Sequence, residues 1–234
     1  MSPHIDPVRL AESAPDLVLR LRAEILAVGS ISFARFMEAA LYDPTDGYYV
    51  TPARRPGRRG DFLTAPEATP LFGITLARLA LATWFRLGRP ERWVIREYGA
   101  GVGGLAYDIL AGLHDLDPAA FDAVSYRLVE VNQDRLADAL AAMAQAGLAD
   151  RVDAEIAAPG MTLPPITGLV LANEVADALP VHRLRVIDGA IVEVRTTWHD
   201  GWFADLDAPL TPDLEAPVHC LRDAVVTLHD GAHV

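Results

Sequence analysis

The sequence predicts an α/β protein built on a doubly wound parallel sheet, and three observations carry that prediction. From Trp93 onward, short apolar runs of strand length alternate with stretches of helical periodicity, the order that gives parallel strands joined by crossover helices. The first of these runs, "RWVI", leads into "REYGAGVGG", where Gly99, Gly101 and Gly104 keep a G-x-G-x-x-G spacing. Acidic or amide residues then close the later runs: Glu130 in "RLVEV", and Asn173 and Glu174 in "LVLANEV". In such a sheet, ligands gather at the carboxyl ends of the strands, so these residues mark one place.

The elements follow in order. Leu17, Leu21 and Ile25 recur at helical spacing and Gly29 stops the helix they define. Ser32 is placed to cap a second helix over residues 33–41, with Phe33, Phe36, Met37 and Ala40 on one face and Asp43-Pro44 at its end. Residues 45–73 are dense in Gly, Pro and Thr, which predicts a long irregular loop. Its cluster Arg54, Arg55, Arg58 and Arg59 is the one basic patch of the chain and reads as a solvated loop, or as a lid or docking segment. Strands are expected at "RWVIREYG", "SYRLVEV", "RVDAEIA" and "TGLVLANEV", with helices at 103–114 and 132–147. After Pro180 the texture changes to "RLRVIDGAIVEVRTTWHDGWFADL", alternating apolar runs broken at Asp188-Gly189 and Asp200-Gly201, the signature of antiparallel hairpins. One more strand is expected in "DAVVTLHDGAHV". The organisation is thus an N-terminal helical segment with a covering loop over 1–88, and a ligand-binding α/β domain with a β-hairpin insertion over 89–234.

Composition narrows the function classes. The net charge of −12 disfavours nucleic acid and anionic membranes as general partners, because both reward a basic face. Cys220 is the single cysteine, so neither an intrachain disulfide nor a thiolate zinc cluster is available, and the residue reads as a small apolar filler. The N-terminus lacks the apolar core of a secretory signal, and the apolar segment 71–85 is interrupted by Arg78, which together lead to the expectation of a cytoplasmic protein.

The strand-end residues distinguish two nucleotide-like ligands. Glycines let a backbone lie against a ligand at the start of a helix, and Glu130, with Val131 beside it, is placed to accept from two ribose hydroxyls. Both S-adenosylmethionine (SAM) and NAD fit that much. NAD adds a pyrophosphate that a nearby acid repels, whereas SAM adds a sulfonium and an ammonium group that an acid attracts. Glu97, two residues before the first glycine, and the acids Glu174 and Asp177 therefore favour SAM. The alternatives are an NAD-linked oxidoreductase or epimerase and a non-catalytic binding or assembly module.

Five blocks carry a resemblance: "GSISFARFMEAALYDPTDGYY", "GDFLTAPEATPLFG", "REYGAGVGGLAYDIL", "YRLVEVN" and "LANEVADALPVHRL". Together they resemble the MidA-type SAM-dependent methyltransferases, the family that includes mitochondrial complex I assembly methyltransferases. The resemblance implies a Rossmann-like fold, SAM as cofactor, and transfer of a methyl group to a protein arginine. Two departures stand out: "EYGAGVG" replaces the usual E-L-G-P-G-x-G, and the family pattern continues beyond residue 234, so the C-terminal part of the family fold is expected to be missing.

The site expected on this reading comprises Glu97, Gly99, Gly101, Glu130, Val131 and Asn173 for the cofactor. Glu174 and Asp177 are the catalytic candidates, holding and polarising a guanidinium that is otherwise cationic and non-nucleophilic. Asp61, Thr64 and Glu67 are further candidates on the loop. His182, beside Arg183, reads as a surface residue. Methyl transfer from a sulfonium is an in-line displacement and calls for no metal. A protein substrate is expected, together with a homodimer, because strands after Pro180 without a crossover helix would leave an apolar edge near the C-terminus.

Overall fold

The computed structural model describes residues 5–51, 65–157 and 161–223. The chain divides into two compact units, one formed by Met1–Pro52 with Leu179–Val234 and the other by Ala53–Ala178. The division expected at residue 88 is therefore not where the contacts part. Strand pairing is the reason: the C-terminal hairpins hydrogen-bond to the N-terminal segment, and the helix before Trp93 packs in the parallel-sheet unit.

In the first unit, α1 (Pro7–Ala11) is capped by Asp6, and α2 (Pro15–Val28) buries Leu17, Val18, Leu21 and Ile25. Gly29 ends α2 at φ 87°, a left-handed conformation that glycine adopts without strain. The short β1 (Ile31–Ser32) leads into α3 (Phe33–Tyr42), whose Ser32 side chain accepts the Arg35 N–H as the sequence predicts.

The second unit begins with α4 (Ala65–Ala68) and α5 (Pro70–Arg86). Regular structure thus starts inside the region read as loop. Residue 70 opens a helix because Thr69 caps it and Pro70 takes the first position, where a missing N–H costs nothing. Then come β2 (Trp93–Tyr98), α6 (Gly104–Leu116), α7 (Pro118–Ala123), β3 (Val124–Glu130), α8 (Gln133–Gln145), β4 (Val152–Ile156) and β5 (Gly168–Ala172). The four strands are parallel in the order β4-β3-β2-β5. The chain steps outward from β2 through β3 to β4 and then returns to the other side of β2. That reversal makes the carboxyl end of β2 the switch point, the place where doubly wound sheets bind ligands. The core beneath it joins Trp93, Ile95, Tyr126 and Leu128 of the strands to Ala77, Ala80 and Trp84 of α5 and to Leu105, Ile109, Leu110 and Leu113 of α6. This is the Rossmann-like arrangement that the sequence predicts.

The first unit resumes with β6 (Arg183–Ile187), β7 (Ala190–His199), β8 (Trp202–Ala208) and α9 (Pro212–Asp223). Strands β6 and β1 lie end to end along one edge of β7, with β8 on the other, all antiparallel. Both turns have the predicted chemistry, since Asp188-Gly189 and Asp200-Gly201 each place two successive residues at positive φ. Trp198 joins α2, β1 and α3 in this unit's core. Cys220 is exposed on α9, so it is not the apolar filler expected; the strand expected in 223–234 lies outside the described residues beyond Asp223.

Candidate functional site

Strand β2 runs buried through most of its length and delivers the chain into a turn of alternating left-handed glycines: Gly99 at φ 65°, Gly101 at 54° and Gly103 at 81°. The third such residue is Gly103, not the Gly104 of the sequence motif. Gly103 caps α6 and Gly104 is already the first helical residue. The N–H groups of Gly99 and Ala100 both donate to the Val129 carbonyl, at 2.8 and 3.3 Å, which a proline at position 100 could not do. A side-chain carbon built on Gly101 would meet nothing within 4 Å, so the backbone here borders open space, as a ligand cradle must.

Glu130 ends β3 and ties this turn down. Its Oε2 accepts the Gly101 N–H at 2.9 Å, while Oε1 accepts those of Val131 at 2.8 Å and Asn132 at 3.1 Å. The carboxylate is buried although its neighbour Val131 is half exposed. A strand-end acid expected to await a ribose is therefore engaged within the protein as well. Carboxylate oxygens hold further lone pairs, so this clasp and a ribose contact are compatible. Asn132 in turn caps α8 by accepting from Asp134 and Arg135.

Glu97 lies one layer below. It is buried, and Oε2 accepts the Tyr126 hydroxyl at 2.7 Å. Burial pushes its carboxyl up to about 7, the Tyr126 hydrogen bond works against that, and the neighbouring Glu130 adds to it. Burial also holds the Tyr126 phenol well above its ordinary value, so it stays a donor.

Asn173 and Glu174 follow β5, whose last residue pairs with Tyr98, so their turn sits beside the glycine turn. A side-chain carbon on Gly99 would come within 2.7 Å of Val175 Cγ2, which shows how closely the two turns approach. Asn173 is half-buried, Glu174 is exposed at φ 51°, and Asp177 is exposed in a 3-10 turn over Ala176–Ala178. The structure thus brings Glu97, Gly99, Gly101, Glu130, Val131 and Asn173 to one end of the sheet, with Glu174 and Asp177 just after. Asp61, Thr64, the Glu67 side chain and the Arg54–Arg59 cluster lie outside the described residues. Sequence reasoning missed Gly103, Tyr126 and Asn132. The paired glycines and the cap-competent Asn before a helical run were legible signals, but nothing in the spacing marks Tyr126.

The first unit has its own buried polar cluster. Glu193, fully buried on β7, takes His182 Nδ1 at 3.1 Å on one oxygen and Arg195 at 3.2 Å on the other. Arg195 also donates to the Ser30 hydroxyl and carbonyl. His182 is the surface residue expected, with its ring held in place by Glu193.

The family described as S-adenosyl-L-methionine-dependent methyltransferase matches residues 75–230. The chain belongs to that family. Among curated members, it is similar to the Drosophila melanogaster protein named protein arginine methyltransferase NDUFAF7 homolog, mitochondrial, with 33% identity over 192 residues, 76% of this chain and 44% of that protein. The Mus musculus NDUFAF7 is 30% identical over 186 residues, 72% of this chain and 42% of that one. This methyltransferase-family chain thus spans less than half the length of these curated relatives. Among solved structures, a COG1565 superfamily member from Burkholderia thailandensis bound to S-adenosyl-homocysteine has TM-score 0.74 and 35% identity, covering all of this chain and 58% of that one. The mitochondrial names correct the expectation of a cytoplasmic protein. That expectation rested on the absence of an apolar signal core, and organelle-targeting segments are amphipathic and Arg-rich, so the criterion was blind to them.

Proposed function

We propose that this chain binds SAM over the turn from Gly99 to Gly103 and directs its methyl group to an arginine of a protein substrate. The observation that carries the reading is the turn itself: left-handed glycines bordering open space, clasped by Glu130 and placed above a buried acid. Family membership and the arginine methyltransferase names of the relatives support the same reading, and the acid beneath the turn favours a cationic ligand over the pyrophosphate of NAD.

When bound, the cofactor supplies an electrophilic methyl group. The residues of this chain position and screen. The glycine turn presents bare backbone, Glu130 accepts ribose hydroxyls with the lone pairs its clasp leaves free, and Asn173 flanks the pocket from β5. Glu174 and Asp177, exposed beyond β5, are assigned to the acceptor: carboxylates hold a guanidinium in a planar fork and draw density onto one nitrogen. Asp61, Thr64 and Glu67 belong to the same proposal as loop contacts to substrate. Self-association along β5, an edge strand among the described residues with Val170 54% exposed, accompanies it.

Calorimetric titration with SAM, S-adenosylhomocysteine and NAD, followed by label transfer from methyl-labelled SAM to an arginine-rich protein, tests the reading. SAM binding with methylarginine in the hydrolysate is expected. Tight SAM binding with no transfer to any protein would favour a binding module, and preference for NAD would refute the site assignment.

A further inference from the structure

Glu97 is a carboxyl with unusual company. It sits mid-core on β2, 4% exposed, with a single hydrogen bond, the Tyr126 hydroxyl, and no ion pair among the described residues. Its register neighbours on the flanking strands are Leu128 and Leu171. The fully buried residues of α5, α6 and α8 are apolar, while Arg135 of α8 is partly buried with its Nη2 enclosed. The titratable groups that face it are both on β3: Tyr126, which donates to it, and Glu130, which repels its ionised form. Among the described residues no cation pairs with this acid, and a cationic ligand would supply one.

We propose that Glu97 is a proton-linked counter-ion for the cofactor, holding a proton while the site is empty and releasing it to solvent when a cationic group of the ligand settles above the glycine turn. This rests on the SAM-binding reading above and extends it to regulation of that site. Desolvation favours the neutral acid in the empty protein, and a fixed positive charge nearby reverses the preference. Thermodynamic linkage then makes affinity rise with pH across the range in which the empty site still holds its proton. Tyr126 sets where that range falls. Its hydroxyl favours the carboxylate and opposes burial, so it keeps the exchange near neutrality. The two cationic groups of SAM are distinguishable, because S-adenosylhomocysteine keeps the ammonium and lacks the sulfonium.

The test is calorimetry of SAM binding at pH 7 in two buffers of different ionisation enthalpy, repeated from pH 6 to pH 7.5 and with E97Q and Y126F. With the empty-site acid at about 7, binding at pH 7 releases about half a proton, and affinity rises about eightfold between the two pH values. E97Q keeps an acceptor for Tyr126 and loses the proton. Its release disappears, leaving only the small proton uptake of a ligand amino group that titrates near 7.7–8.0 when free and binds as ammonium, and the rise of affinity with pH is lost. Y126F shifts the range upward. Proton release with S-adenosylhomocysteine as well as SAM assigns the ammonium as the group Glu97 answers, and release with SAM alone assigns the sulfonium. Binding of SAM with the same proton release in E97Q as in the parent protein overturns the linkage and leaves the cofactor reading standing. Absence of SAM binding at every pH overturns both.

Discussion

Removing the Glu130 carboxylate measures how much the cofactor turn depends on a side chain from the neighbouring strand. In Glu130→Ala three backbone N–H groups lose their acceptor: Gly101, twenty-nine residues distant and partly buried, and the local pair Val131 and Asn132. A hydrogen bond to a charged group contributes about 1.5–3 kcal/mol, and the Gly101 bond is given that full range because it is the one side-chain tie on a turn otherwise held by backbone bonds to Val129 and Ala100. The local pair counts for less, about 0.5 kcal/mol each, since water reaches the half-exposed Val131 once the side chain is gone. The expected loss of unfolding free energy is therefore about 2.5–4 kcal/mol, read from urea denaturation of the ligand-free protein, with a further loss of SAM affinity of at least about tenfold. Glu130→Gln is nearly as costly, because its amide must turn a donor toward the Gly101 N–H or toward the Val131 and Asn132 pair. A Glu130→Ala protein within about 0.5 kcal/mol of the parent would refute the clasp, and would mean that the carboxylate serves only the ligand.

Gly101→Val places a β-branched residue at φ 54°; strain of about 1–2 kcal/mol is expected to leave the far-UV circular dichroism intact while SAM affinity drops more than tenfold, and unchanged affinity in titration would disprove the cradle. Because the folded Glu97 holds its proton up to about 7 and the unfolded chain loses it near the ordinary 4.5, stability from this residue is present below pH 4.5 and lost as pH rises to 7. The decline is on the order of 3 kcal/mol, and denaturation curves of Glu97→Gln lacking that decline are the expected result. Glu193→Ala strips Arg195 of its buried carboxylate but not of Ser30, for an expected loss of about 2–3 kcal/mol in urea denaturation, with Glu193→Gln costing less.

Much of this protein was legible from local chemistry. The hairpin turns at Asp188-Gly189 and Asp200-Gly201 follow from residues that tolerate positive φ, and the cap at Ser32 and the stop at Gly29 follow from which side chains satisfy or release helix ends. The sheet of parallel strands followed from alternation alone, and with it the position of Glu97, Gly99, Gly101, Glu130 and Asn173 at one end. Helix α5 was hidden by the Pro- and Thr-rich approach to it, since Thr69 and Pro70 read equally as loop or as the start of a helix until packing against α6 decides.

The sequence by itself determined the period of each element, the chemistry of each turn and the acids that close each strand, because those depend on residues within a few positions of one another. Tertiary structure decided three matters: that the C-terminal hairpins pair with residues 31–32, that Glu130 clasps Gly101 rather than standing open, and that Glu97 lies buried against Tyr126 with no ion pair among the described residues. Each depends on contacts across twenty-nine residues or more, where burial and register set the energies and no local spacing records them.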